Sequence, residues 1–186
     1  MATLIEEIVF WSLVGLGAYV YVGFHLLLLL WSKVGGRPTA PDDSHTPTAA
    51  LFISAYNEKE VIEAKIENAL ALDYPEDYLE LFLVSDGSTD GTEAIARSFA
   101  DRGLKALHFP ERRGKNAAIN DAVQESRTKI LVFSDANALY DPQAVRRLTR
   151  NFSDADVGCA MGRLHFLSDD GLLVDGGLYW RLENRT

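Results

Sequence analysis

Hydrophobic positions change their period several times along the chain, and each change predicts a different element. From Ile8 to Ser32 there is no Lys, Arg, Asp or Glu, and Leu26 to Leu30 run without a break. A helix of about 25 residues is roughly 37 Å long, enough to cross a hydrocarbon core of roughly 30 Å with some tilt. Trp11 and Trp31 stand near its two ends, as interfacial anchors do. A retained membrane anchor is therefore expected over residues 1–34, with the transmembrane helix at about 8–32. A cleaved signal peptide fits less well: Glu6 and Glu7 replace a basic start, the apolar core is too long, and no Ala-x-Ala follows. Residues 35–47 collect Gly35, Gly36, Pro38, Pro41, Asp42, Asp43, Ser44 and Pro47, the composition of a linker.

Beyond the linker, short apolar runs alternate with helical periodicity. Ala49–Ser54, Leu79–Ser85, Lys105–Phe109 and Lys129–Ser134 read as four strands. After the first strand a helix runs to about Leu72, with Ile62, Ile66 and Ala69 on one face, and Pro75 closes it. Asp90 with Glu93 resembles a capping box, opening a helix that runs to about Arg102 before Gly103. Lys115–Ser126 predicts a third helix with Ala118, Ile119 and Ala122 inward. Asp141 as N-cap and Pro142 as first helical residue open a fourth, through Phe152. Val157–Leu167 predicts a strand pair or one bent strand, Ser168–Gly171 a turn, and Val174–Asn184 a helix. Strands and helices alternating on short connections predict a Rossmann-like α/β domain with a mostly parallel sheet.

In such a sheet, ligands bind just beyond the carboxyl ends of the strands. The second strand delivers Asp86 to that edge and the fourth delivers Asp135, with Asn137 two residues on. The formal net charge of −9 argues against nucleic acid as the main partner. An anionic ligand would need a bridging cation or backbone N–H groups. Cys159 is the single cysteine, which excludes a disulfide framework and a cysteine-based zinc site and agrees with a cytosolic domain. Lys33 and Arg37 follow the span and no Lys or Arg precedes it, so the positive-inside rule turns the C-terminal side to the cytosol.

Several motif readings fail. Asp86, Ser88, Asp90 and Gly91 begin like an EF-hand loop, but Arg97 stands where its bidentate Glu belongs, and a strand precedes it. Gly114-Lys115 lacks the earlier Gly and the following Ser or Thr of a P-loop. No Gly-x-Gly-x-x-Gly follows the first strand. What remains is Glu58, Asp86, Lys115 and Asp135 with Asn137. Singly, these read as dipole complementation, a helix cap, a solvated lysine and an Asx turn. Together at one sheet edge they suit a nucleoside diphosphate. Asp86 can accept hydrogen bonds from a base or ribose, Asp135 can hold a hard divalent cation against the diphosphate oxygens, and Lys115 adds a positive charge.

The segments Ser54-Ala55-Tyr56-Asn57-Glu58, Ser85 to Thr92, Gly114 to Asn120 and Ser134-Asp135-Ala136-Asn137 resemble, in order and spacing, the family 2 glycosyltransferases. That resemblance implies a GT-A fold, a nucleotide-sugar donor (most often UDP-linked), and inverting transfer with Mg²⁺ or Mn²⁺ to a glycan or lipid-linked acceptor. It implies that Ala55, Tyr56 and Glu58 line the nucleoside pocket, that Asp86 contacts the base and that Lys115 lies near the donor. It also implies that Asp135 and Asn137 form the metal motif, with Asn137 replacing the second Asp of an Asp-x-Asp. The family's catalytic base, in an acidic dipeptide well beyond the metal motif, has no counterpart here: Asp169-Asp170-Gly171 reads as a turn and Glu183 as a helix-face charge. Residues 48–186 are therefore expected to be the donor-binding part of a longer enzyme, with the base beyond Thr186. The expected setting is the inner membrane, single-pass, with the N-terminus outside and the transferase domain cytoplasmic. A non-catalytic nucleotide-sugar-binding module and an unrelated α/β membrane protein remain as alternatives.

Overall fold

The structure is a computed structural model describing residues 2–35, 40–167 and 173–174. The chain divides into two compact units, one of 1–38 with 163–186 and one of 39–162. In the first, α1 (Ala2–Ala18) passes through a π-helical turn at Tyr19–Gly23 into α2 (Phe24–Gly35). The stretch Thr3–Gly35 is long and apolar enough to cross a membrane by length and composition. Its large apolar side chains stand exposed, from Leu4 to Trp31, as a lipid-facing helix requires. This unit also holds the antiparallel pair β5 (Phe166–Leu167) and β6 (Leu173–Val174).

The second unit is built on four parallel strands: β1 (Ala49–Ala55), β2 (Leu79–Asp86), β3 (Leu104–Phe109) and β4 (Ile130–Asp135). They are ordered β3-β2-β1-β4. Parallel strands covered on both faces read as continuous apolar runs, and Ala-Ala-Leu-Phe-Ile is such a run. Alternate residues of β1 feed two cores. Leu51 and Ile53 meet Ile62 and Ile66 of α3 (Lys59–Leu70), Ala96 of α4 (Thr92–Arg97) and Val145 of α6 (Ala144–Thr149). Ala50 and Phe52 meet Ala118 and Ala122 of α5 (Lys115–Val123). Phe52 stacks on Phe82 at 4.8 Å and on Phe133 at 5.8 Å between ring centroids.

The observed elements differ from expectation in four places. The helix expected to run to about Arg102 ends at Arg97, and Ala100–Arg102 forms a separate 3₁₀ turn. The capping box does not form. Asp90 accepts from the Thr92 N–H and hydroxyl in an Asx turn, Gly91 is the N-cap of α4, and Glu93 pairs with Arg97 and His108 instead. Asp141 likewise closes a turn onto the Gln143 N–H at 2.9 Å, so α6 starts after Gln143 rather than at Pro142. Residues 157–165 form no strand; within the Val157–Leu167 stretch, β5 is the only strand among the described residues. That stretch is punctuated by Gly158 and Gly162, which weaken pairing. The turn at Ser168–Gly171 and the helix expected over Val174–Asn184 fall outside the described residues, apart from Val174 in β6.

Candidate active site at the sheet edge

The strand order reverses at β1: β2 and β3 extend to one side, and the chain returns to place β4 on the other. The crevice beyond the carboxyl ends at such a switch point is the usual ligand site of an open α/β sheet. In register, Ala55 lies opposite Ser85, and Ser54 opposite Asp135. Asp86 and Asp135 therefore arrive on the two sides of the β1 turn.

A cleft of about 260 Å³ opens there, and Ala55, Tyr56, Glu58, Asp86, Lys115, Asp135 and Asn137 all line it. The structure thus brings together every site residue expected from the sequence. The cleft is smaller than the roughly 300–1,000 Å³ typical of small-molecule sites, so these walls suit part of a ligand.

The two carboxylates are held differently. Asp86 is 5% exposed, and its two oxygens accept the Arg113 and Gly114 backbone N–H groups, each at 2.8 Å. The loop before α5 can close this far because Gly87 adopts φ +73° with no Cβ; one there would stand 2.7 Å from the Arg112 backbone nitrogen. Asp135 is exposed, pairs with the Lys115 ammonium and accepts the Ser54 hydroxyl at 3.4 Å.

The first turn is braced from the second. Asn57, at φ +53°, donates its N–H to Ser88 Oγ at 3.1 Å and accepts the Thr89 N–H at 2.9 Å. The next two amides, Glu58 and Lys59, donate to Thr92 Oγ1 and Asp90 Oδ2, each at 3.0 Å. These amides lead into α3 and have no intrahelical partner, so the Ser88-Asp90-Thr92 side chains cap α3 from a neighbouring loop. In the Ser85–Thr92 segment, Asp86 alone lines the cleft.

Sequence reasoning missed several residues. Arg112 lines the cleft and lays its guanidinium 3.8 Å from the Tyr56 ring centroid, a cation–π contact that no periodicity announces. Lys65 is fully buried. Burial pulls its ammonium down to about 8, against the Asp135 carboxylate, which favours the charged form. Its position three after Ile62 and one before Ile66, on the apolar face of α3, is the signal that could have found it.

As a metal site, the cleft offers one carboxylate at Asp135 and one amide oxygen at Asn137. Among the described residues no three His, Cys, Asp or Glu side chains stand close enough to hold a metal ion between them. That donor set does not make an all-protein cage. It fits a hard cation that completes its shell with water and ligand phosphates.

Residues 50–177 match the Glycosyl transferase family 2. The chain belongs to this family. Glycosyltransferase AglE of Haloferax volcanii is 31% identical over 130 residues, covering 69% of this chain and 43% of AglE. Poly-beta-1,6-N-acetyl-D-glucosamine synthase of Staphylococcus aureus strain COL is 28% identical over 125 residues, covering 66% of this chain and 30% of that enzyme. Among solved structures, the mannosyltransferase PcManGT of Pyrobaculum calidifontis, in complex with GDP-Man and Mn²⁺, superposes with a TM-score of 0.66. It is 32% identical, and the match covers 76% of this chain and 43% of that one. The chain therefore spans less than half the length of these relatives. The four-stranded sheet is the parallel core of a GT-A fold.

Proposed function

We propose that this family 2 glycosyltransferase chain binds a nucleoside-diphosphate sugar in the cleft at the ends of β1, β2 and β4, as the donor for transfer to a glycan or lipid-linked acceptor. The observation that carries the reading is the convergence of Asp86, Asp135 and Lys115 on one cleft at the switch point of the sheet. Tyr56, with Arg112 on its ring, Ala55, Glu58 and Asp86 form the nucleoside side. Asp86 keeps this role although both oxygens accept backbone N–H groups, because each carboxylate oxygen has a second lone pair. Asp135 and Asn137 form the metal side, where Mg²⁺ or Mn²⁺, when bound, neutralises diphosphate charge. Lys115, already paired with Asp135, supplies a further positive charge to the phosphates.

The GDP-Man and Mn²⁺ bound to PcManGT support a nucleotide-sugar and divalent-metal reading without choosing the base. Our choice is a UDP-linked donor. We further assign residues 1–34 as an anchor in the inner membrane, 35–47 as linker and 48–186 as the transferase domain on the cytoplasmic side, following Lys33 and Arg37.

The test is calorimetric titration of the full chain in detergent with UDP and with GDP, each with Mn²⁺ and with EDTA. UDP affinity is expected to rise on adding Mn²⁺, and Asp135→Ala to remove that rise, a loss of about hundredfold or roughly 2.7 kcal/mol. Equal UDP affinity with and without Mn²⁺ in the unsubstituted chain rejects the metal assignment. Preference for GDP rejects the choice of base.

A further inference from the structure

Lys65 is the one fully buried charged side chain among the described residues, and the nucleotide reading gives it no task. It projects from the middle of α3 beneath the loop that follows β4. Its ammonium donates to the Ala138 carbonyl, one residue past Asn137, and lies 4.2 Å from the centroid of the Tyr140 ring. One turn further along α3, Asn68 makes a reciprocal pair with the same loop. Its amide donates to the Tyr140 carbonyl at 2.9 Å and accepts the Tyr140 N–H at 2.8 Å. The Tyr140 hydroxyl then returns to the Phe133 carbonyl of β4 at 2.9 Å. Residues 136–140 are therefore gripped from below by two side chains of a helix more than 70 positions earlier in the chain.

The grip is one-sided. Above the loop, Asp135 and Asn137 face the cleft, where Lys115 and Ser54 reach Asp135. The Ser134 hydroxyl adds a bond to the Asp135 carbonyl at 3.2 Å, within the same strand end. Asp135 pairs directly with the Lys115 ammonium in the cleft, and its charge also favours the charged form of Lys65 beneath the loop. A buried ammonium with a carbonyl and an aromatic face as its partners is costly to keep, and an apolar side chain would fill the same space without that cost.

We infer that Lys65 is a positioning residue for the metal side of the cleft: by holding the Ala138 carbonyl and packing against the Tyr140 ring, it fixes the loop that sets the directions in which Asp135 and Asn137 present their oxygens. This rests on the nucleotide and metal reading above for its consequence, but not for its geometry. The role is separable from general packing, because the polar contacts of Lys65 go to the Asp135–Tyr140 loop and not to the Tyr56–Glu58 turn or the Asp86 staple.

The experiment compares the full chain with its Lys65→Met variant in two measurements. In hydrogen exchange without nucleotide, amides 136–140 of Lys65→Met are expected to exchange about tenfold faster or more, while β1 and β2 keep their protection. In UDP titrations, the gain in affinity on adding Mn²⁺ is expected to shrink about tenfold, with the affinity in EDTA unchanged within about twofold. Asn68→Ala, which cuts the second tie and leaves the ammonium, is expected to give the same split at smaller amplitude, and it carries the test if Lys65→Met does not fold. Unchanged exchange at 136–140 overturns the inference. So does a loss of affinity equal in Mn²⁺ and in EDTA together with faster exchange throughout the sheet, the signature of plain destabilisation. If the unsubstituted chain shows no Mn²⁺-dependent binding, the metal assignment fails by itself, and the exchange result alone decides whether Lys65 holds the loop.

Discussion

Asp86 and Asp135 end strands that flank β1, line the same cleft and differ in almost every other respect. Asp86 is buried, and both its oxygens are satisfied by backbone N–H groups of the loop that carries Lys115. Asp135 is exposed, with an ammonium and a distant hydroxyl as partners, all of them side chains that can turn away. One carboxylate is stapled into the framework, and the other is open to a ligand. The contrast teaches that a shared motif position does not mean a shared duty: charge-assisted bonds from a buried carboxylate to backbone amides build the wall, while an exposed ion pair adds little stability and is easily exchanged.

The sharpest way to break this contrast is to remove each carboxylate in turn. Asp86→Ala strips the buried end from two charge-assisted bonds to the Arg113 and Gly114 amides and is expected to destabilise the domain by roughly 3 kcal/mol in denaturant unfolding. The same measurement on Asp135→Ala should move stability by less than about 1 kcal/mol, since that pair is exposed, even as Mn²⁺-dependent binding is lost. Equal stability losses in the two variants would erase the distinction.

Titration of Lys65 sharpens the metal side. Its folded value of about 8 lies below the ordinary 10.5 because burial disfavours the cation. Between those two pH values the unfolded chain binds more protons than the folded one, so stability rises with pH across the window and the penalty is fully present below it. The groups facing the ammonium are the Asp135 carboxylate and the Tyr140 ring. The difference in unfolding free energy between the unsubstituted chain and Lys65→Met should therefore drift by roughly 3 kcal/mol between pH 8 and 10.5. A flat difference would mean that the ammonium is not desolvated.

The smallest effect belongs to the brace. Asp90→Ala releases the Lys59 and Thr92 amides and is expected to lower the denaturant midpoint slightly, by less than either Asp86→Ala or Lys65→Met moves it. Nucleotide affinity in EDTA should fall a few-fold because the turn carrying Tyr56 and Glu58 loosens, while the additional gain from Mn²⁺ stays. A fall confined to the Mn²⁺ condition would place Asp90 on the wrong side of the comparison.

Much of this is legible in the chain alone. Apolar runs ending abruptly in Ser85-Asp86 and Ser134-Asp135 locate two strands and their site edge, because both the strand period and the βα connection are local properties of the chain. The spacing of Ile62, Ile66 and Ala69 likewise marks the buried face of α3, and all three are buried. The end signals are less faithful. Asp90 and Asp141 both look like helix caps, yet each closes a turn onto the residue two positions on, since a short carboxylate satisfies an Asx turn as readily as an N-cap.

The sequence by itself determined the strand and helix order, the two carboxylates at one sheet edge, the apolar N-terminal helix and the resemblance to a glycosyltransferase family. Only the tertiary structure decided what each carboxylate does. Asp86 became a staple because a loop from beyond β3 brings its amides to it, and Lys65 became an internal prop because the loop after β4 folds over the middle of α3. Both depend on partners tens of residues away, and no local period records where such partners will arrive.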